Sequence, residues 1–82
     1  MTKFERELQD LKTWDEVQFT TKLTYCQDYD FINTAGHGYL IIPKNDPYYQ
    51  EAEKICQYGF KGDLACYLEE DCEVSKFLDL IN

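Results

Sequence analysis

The spacing of apolar residues at the start of the chain predicts a short amphipathic helix. Phe4, Leu8 and Leu11 recur at intervals of four and three, which places them on one face of a helix. Thr2 and Glu5 have the spacing of a capping box, in which each side chain accepts a hydrogen bond from the backbone N–H of the other residue. We therefore expect a capped helix that buries one side.

A strand pattern follows over residues 17–26. Apolar residues such as Val17 and Phe19 alternate there with polar ones, and a period of two is the spacing of side chains on one face of a strand. Residues 13–16 repeat the capping spacing, but no helical stripe follows them. We interpret residues 13–16 as a turn that anchors Trp14 against the core.

Two further strands are predicted next. Residues 27–28 suit a tight turn into a second strand at about residues 29–33, and residues 35–38 form a glycine-flanked turn. Residues 39–42 then make a short apolar strand, which Pro43 ends because it has no N–H to donate. Three consecutive strands joined by short turns predict an antiparallel meander.

The second half of the chain returns to helix and strand patterns. Asp46 and Pro47 suit the N-cap and the first position of a helix, and Gly59 suits the position after its end. Residues 64–68 have the composition of a fourth strand. The apolar face of a final helix is supplied by Val74, Phe77, Leu78 and Ile81.

Together these patterns predict an α+β fold in one compact domain, residues 1–82. The predicted order is α-β-β-β-α-β-α. A small antiparallel sheet, made of the three-strand meander and the fourth strand, would carry two to three helices on one face. The order of the strands within the sheet does not follow from the sequence.

Composition limits the class of protein and its compartment. The 44% of hydrophobic residues is too high for intrinsic disorder, and no stretch approaches the roughly 20 apolar residues of a membrane span. Four cysteines occur without a C-x-x-C pair and without a signal peptide before them. We therefore expect reduced thiols in a cytoplasmic protein, with Cys56 and Cys66 acting as small core residues.

The charge balance bears on the partners. Sixteen acidic residues against eight basic ones give a net charge of −8. Contacts with phosphate need Lys and Arg, so direct binding to nucleic acid or to an anionic membrane surface is disfavoured. An acidic surface can instead dock in the basic groove of a partner protein. The alternative is that the charge only keeps a small protein in solution.

The clearest sign of a binding face is an acidic run near residue 70. Carboxylates near the start of a helix are stabilising, but five acids between positions 63 and 73 exceed what a cap requires. Tyrosine, which is enriched at protein interfaces, is abundant as well, although it could equally rim the core with its hydroxyl groups in water. The predicted partner-binding residues are Asp63, Glu69, Glu70, Asp71, Glu73, Tyr39, Tyr67 and His37.

His37, the only histidine, allows two other hypotheses. As a general base it would be oriented by Glu69 or Asp71. The cysteines available as its nucleophile are Cys26, Cys66 and Cys72. As a zinc ligand it would act with cysteines, but their spacing is irregular. The simpler interpretation is a hairpin turn without chemistry, so we predict no catalytic residue, no metal and no cofactor.

Two segments resemble a domain found in small proteins of unknown function from bacteriophages and conjugative elements. They are residues 34–43, which contain Gly-His-Gly-Tyr-Leu, and residues 67–73, which begin with Tyr-Leu-Glu-Glu-Asp-Cys. The resemblance covers roughly residues 29–80. It implies no activity, but it implies a context: a small acidic protein in the cytoplasm of a bacterial host that blocks a host machine, such as a restriction or CRISPR nuclease.

The predicted function is therefore a protein-binding inhibitor or regulator of anti-CRISPR or anti-restriction type, and not an enzyme. Its partner would be a basic host protein, for example a nuclease, and it would contact neither nucleic acid nor membrane. One alternative is a homo-oligomeric structural or assembly protein that pairs an exposed strand edge. Another is an enzyme or metal module centred on His37.

Overall fold

The computed structural model describes residues 2–23 and 26–82. Within these residues it contains three helices and five strands, which in chain order are α1 (Lys3–Leu11), β1 (Val17–Leu23), β2 (Cys26–Thr34), β3 (Gly38–Pro43), α2 (Tyr49–Ile55), β4 (Phe60–Lys61), β5 (Ala65–Glu69) and α3 (Val74–Ile81). The α+β class and the predicted order of elements are confirmed, with the two-residue strand β4 as an addition. None of the helices in the described residues is long and apolar enough to cross a membrane.

The five strands form one antiparallel sheet in the order β1-β2-β3-β5-β4. The predicted meander is confirmed as β1-β2-β3. After α2 the chain returns to pair β5 with β3, and Tyr39 lies opposite Glu69. This pairing brings the start of β3, which follows the Gly-His-Gly turn, next to the end of β5, where the acidic run begins.

Helices cover both faces of the sheet, so the prediction of one covered face is wrong. On β3, Leu40 and Ile42 join the core cluster that contains residues of α2 and α3, whereas Tyr39 and Ile41 join the cluster that contains Leu8 of α1. The reason lies in the central strands β3 and β5, which have apolar residues at nearly every position. Such strands need cover on both sides.

The capping box of α1 is confirmed: the N–H of Glu5 donates to Thr2 Oγ1 at 3.1 Å, and the N–H of Thr2 donates to Glu5 Oε1 at 3.0 Å. The helix buries Leu8, as its apolar spacing predicts, but Leu11 at its end is exposed. The cap thus fixes where the helix starts, and Leu8 fixes which side faces the sheet.

Two aromatic side chains lie on the surface against expectation. Trp14 is 72% exposed, so the prediction that it anchors the turn to the core is wrong. Its neighbours in the turn, Lys12 and Asp15, are buried instead. Phe19 is 54% exposed because the register of β1 shifts between Val17 and Phe19. A bulge of this kind re-aims the side chains that follow it.

Two predicted boundaries shift. Residues 27–28 belong to β2 and form no turn, and residues 24–25, which end the predicted first strand, lie outside the described residues. Asp46 does not cap α2, because that helix starts at Tyr49. The Asp46 carboxylate instead accepts hydrogen bonds from the Tyr48 N–H at 2.8 Å and from the Tyr29 hydroxyl at 3.0 Å.

Gly59 does not follow the end of α2, because the helix stops at Ile55 with Cys56 as its C-cap. The glycine is needed for another reason: a Cβ atom at Gly59 would lie 1.9 Å from the Tyr67 carbonyl oxygen of β5. Only a residue without a side chain permits this approach.

The cysteines with described side chains agree with the sequence prediction. Cys56 and Cys66 are buried in the core cluster below α2, and Cys72 is exposed. All three carry free thiols. The first two therefore serve as small core residues.

We expect Gly59→Ala to lower the free energy of unfolding by about 1–3 kcal/mol, because the added methyl group collides with the backbone of β5. The measurement is urea denaturation. Gly36→Ala is the matched control, since a Cβ atom there would meet Asp15 Oδ2 at 3.6 Å, an ordinary contact. Equal losses in the two variants would contradict the close approach at Gly59.

Candidate functional site

A cavity of about 280 Å³ opens on the side of the sheet that carries α1. It is lined by Trp14, His37, Tyr39, Tyr58, Phe60, Glu69 and Cys72. We call it the aromatic cleft. A larger hollow of about 380 Å³ lies elsewhere and includes Asp63 as the only predicted binding residue in its wall. The aromatic cleft, in contrast, brings together the predicted residues His37, Tyr39 and Glu69 from two segments of the chain.

Beneath the cleft lies Lys12, which the sequence did not single out. It is 0% exposed, and its ammonium group donates a hydrogen bond to the Tyr39 hydroxyl and lies 3.4 Å from Asp15 Oδ2. The same nitrogen is 4.5 Å from the centre of the Trp14 ring and 4.1 Å from that of Tyr39. Burial lowers the pKa of Lys12, while the hydrogen bond and the charge of Asp15 oppose that shift. Aromatic faces and one carboxylate thus hold a buried cation in place.

Asp15 fixes the turn that carries His37. Its carboxylate is hydrogen-bonded to Thr34 Oγ1 at 2.7 Å and accepts from the Gly36 N–H at 3.2 Å. The hydrogen bond with Thr34 lowers the pKa of Asp15, and Lys12 and the Gly36 N–H add to this effect against the opposing effect of burial. One wall of the cleft is therefore fastened to the buried ion pair.

Glu73 fixes the opposite wall. It is 1% exposed, although the sequence placed it on the binding face. Its carboxylate accepts hydrogen bonds from the backbone N–H groups of four residues. The donors are Gln57, Tyr58 (2.6 Å), Gly59 (3.1 Å) and Glu69 (3.0 Å). Glu73 thus holds the segment of Tyr58 against the end of β5, and its role is structural.

Of the other predicted binding residues, Tyr67 and Asp63 lie apart from the cleft. Tyr67 is buried, and its hydroxyl donates to Glu7 Oε1 at 2.6 Å. Asp63 is exposed in the β4–β5 turn, where its N–H donates to Glu7 Oε2 at 2.7 Å. Both belong to a contact between α1 and the β4–β5 edge. Glu70 is exposed in the turn after β5.

The structure does bring His37, Glu69 and Asp71 together. Their ligand atoms all lie within 4.8 Å of one another, and His37 Nδ1 is 3.9 Å from Glu69 Oε1. The two turns that carry them are tied by a hydrogen bond from the Glu70 N–H to the Gly38 carbonyl at 3.0 Å. The imidazole also meets the Trp14 ring edge-on, with 5.8 Å between ring centres. Two segments 30 residues apart in the sequence therefore form one site.

Cys72 lies at this site, but its surroundings do not favour a nucleophile. A hydrogen bond to Glu69 raises the pKa of Cys72, and burial and nearby carboxylates raise it further. The pKa of Cys66 is also raised, by its hydrogen bond with Cys56 and by burial. A thiol must ionise to attack, so both environments oppose thiolate chemistry.

Aromatic rings beside carboxylates are instead suited to holding a cation.

Some tyrosines are buried in the core and others lie on the surface, where they are available to a partner. Tyr29, Tyr39 and Tyr67 are buried, whereas Tyr48 and Tyr58 are exposed. Tyr58 is 68% exposed and stands at the cleft, so it adds an accessible ring to that of Trp14.

We expect acid to weaken the fold partly through Asp15. The pKa of Asp15 is lower in the folded chain than its ordinary value, so its carboxylate stabilises the fold above about pH 4, and this contribution is lost as the pH falls through the lowered pKa. Asp15→Asn should therefore reduce the urea midpoint at pH 7, and the reduction should shrink towards pH 2–3.

Asp10→Asn is the control, because Asp10 is exposed on α1. It should leave the urea midpoint nearly unchanged at both pH values. A deficit of Asp15→Asn that is the same at neutral and acidic pH would contradict the role given to the Asp15 carboxylate.

Comparison with known proteins gives no relative for this chain: no family model matches it, and neither a curated protein nor a solved structure is similar to it.

Proposed function

We propose that this protein is a binding protein that captures a basic segment of a partner protein and places an arginine side chain in the aromatic cleft. The observation that carries the proposal is the pairing of accessible aromatic rings with carboxylates. Trp14 and Tyr58 are both largely exposed, Glu69 lines the same cleft, and the ligand atoms of Asp71 and Glu69 lie within 4.8 Å of each other. Aromatic faces and carboxylates are the two groups that recognise a guanidinium ion.

The exposed aromatic residues are held in place before any partner arrives. Trp14 contacts the Lys12 ammonium group and the His37 ring, and the backbone of Tyr58 is bonded to Glu73. Ordering a surface in advance reduces the entropy lost on binding. Tryptophan and tyrosine are also the residues that most often dominate the energy of protein interfaces. The cleft therefore has the composition of a binding site, and contacts within the fold support its two exposed aromatic residues.

Charge favours a basic occupant. Glu69 lines the cleft, Glu70 and Asp71 follow it in a turn that has no basic residue, and the chain as a whole carries −8. Arginine is preferred over lysine because its planar guanidinium can bond a carboxylate with two parallel N–H groups and can stack on aromatic rings. A volume of about 280 Å³ suits one long side chain rather than a larger ligand.

The biological role within this proposal is inhibition or regulation of a basic host protein, such as a nuclease. That part is supported by the sequence resemblance to proteins of phages and conjugative elements and by the acidity of the chain. An acidic protein with a fixed aromatic cleft can occupy a groove that normally holds nucleic acid.

Trp14 is the only tryptophan, so its fluorescence reports directly on the cleft. We expect a short arginine-containing peptide to change the Trp14 emission, and the peptide with neutral citrulline in place of arginine to have little effect. Glu69→Gln and Asp71→Asn should each weaken binding about tenfold, because each removes one charged acceptor. High salt should weaken it as well.

Asp79→Asn is the matched control for that titration. It makes the same change of charge on α3, on the opposite face of the sheet, and should leave the affinity within about twofold. Equal binding of the citrulline peptide, or an equal loss in Asp79→Asn, would overturn the proposed site. A pull-down from bacterial lysate at low and high salt, with Trp14→Ala as comparison, would then identify the natural partner.

A second candidate function is self-assembly through β1. Among the strands that the structure describes, β1 lies at the edge of the sheet and pairs with β2 alone, and it exposes Phe19. An unpaired edge with an exposed apolar residue invites a second strand. The candidate predicts a mass that rises with concentration in analytical ultracentrifugation and that falls to the monomer in Phe19→Lys. Gln18→Lys, one position along, should not change it. A monomer at every concentration would exclude this assembly.

A further inference from the structure

We infer that His37, Glu69 and Asp71 form a binding site for a divalent transition-metal ion of the zinc class. Their ligand atoms already lie within 4.8 Å of one another. The inference does not rest on the proposed function, since it concerns the purified chain and an inorganic ion. The sequence predicted no metal, because the ligands come from two distant segments and show no spacing typical of a zinc site.

The donor atoms indicate the class of ion. One imidazole nitrogen and two carboxylate oxygens are ligands that zinc accepts readily, whereas calcium and magnesium prefer oxygen ligands alone. Three protein ligands are also the number that leaves a position open on zinc. Because Glu69 and His37 line the aromatic cleft, that position would face the cleft.

The second observation concerns the burial of the Glu69 carboxylate and the groups around it. The residue is 9% exposed and its side chain is 11% exposed, so the carboxylate is largely withdrawn from water. Its near neighbours are the His37 ring at 3.9 Å and the Cys72 thiol, which is a weak donor. Lys12 attracts it electrostatically, but the hydrogen bond of Lys12 goes to Tyr39. A largely buried carboxylate whose nearest donors are an imidazole and a thiol gains from a bound cation.

The backbone holds the three ligands close to the required arrangement. Glu69 lies opposite Tyr39 in the sheet, and the N–H of His37 donates to Thr34 Oγ1 at 3.0 Å. Zinc bonds of 2.0–2.2 Å in a tetrahedral site separate the ligand atoms by about 3.4 Å. The exposed side chains of His37 and Asp71 can close the remaining ångström or so by rotation, while Glu69 stays fixed.

Zinc titration of the chelator-treated protein by calorimetry tests this site, with cobalt absorption as a second readout. We expect one ion per chain. His37→Gln and Asp71→Asn should each weaken binding by at least about tenfold, since each removes a ligand. Both side chains are exposed, so the fold should persist, which circular dichroism would verify.

Two control variants make the result specific. Glu70→Gln removes the same charge as Asp71→Asn one residue away, and it should change the affinity by no more than about twofold. Cys72→Ser should also retain binding, which separates the proposed ligands from a thiolate site. An absence of zinc binding, or an equal loss in Glu70→Gln and Asp71→Asn, would overturn the inference.

The arginine-peptide titration, run in the presence of chelator, keeps this inference separate from the proposed function. Zinc binding without peptide binding would support the metal site and remove the proposed function. Peptide binding without zinc binding would do the reverse.

Discussion

The aromatic cleft depends on the buried ion pair of Lys12 and Asp15. Lys12 is the C-cap of α1 and reaches the Tyr39 hydroxyl of β3, while Asp15 holds the turn between β2 and β3 through Thr34. A buried pair of this kind is tolerable only when hydrogen bonds complete it, as they do here. Because Lys12 and Asp15 point inward, Trp14 between them points outward. The surface tryptophan is thus a consequence of the ion pair.

Carboxylates that accept hydrogen bonds within the fold account for part of the acidity that the sequence displays. Glu73 holds the segment of Tyr58, and Glu7 accepts hydrogen bonds from the Tyr67 hydroxyl and from the backbone N–H groups of Asp63 and Leu64. In these turns the carboxylates of Glu73 and Glu7, instead of a carbonyl group in a neighbouring strand, accept the hydrogen bonds of these backbone N–H groups. The count of acids therefore exceeds the number available to a partner. The accessible charge at the cleft is concentrated in the turn after β5.

The fold was predictable from local patterns, whereas most of the site was not. The alternation of apolar and polar residues predicts strand β1, and the capping box of Thr2 predicts the start of helix α1, both without distant contacts. The continuous apolar run of β3 indicates that both faces of the sheet are covered. The meeting of His37 with Asp71 depends on the pairing of β3 with β5, which local patterns do not determine. Lys12 was missed because a lysine is rarely buried without a partner, and its partners are known only once the fold is known.

The charges around the cleft explain why an external cation is the ligand to expect. Lys12 is paired with Asp15 and donates to Tyr39, and in the described residues no ion pair joins it to Glu69. Asp71 adds a second negative charge at the surface, and the nearby histidine can donate a nitrogen to a metal or a ring face to a side chain. A guanidinium ion and a divalent metal would therefore compete for the same carboxylates. If both proposals hold, the ion or side chain that binds more tightly would determine whether the cleft is open to a basic partner.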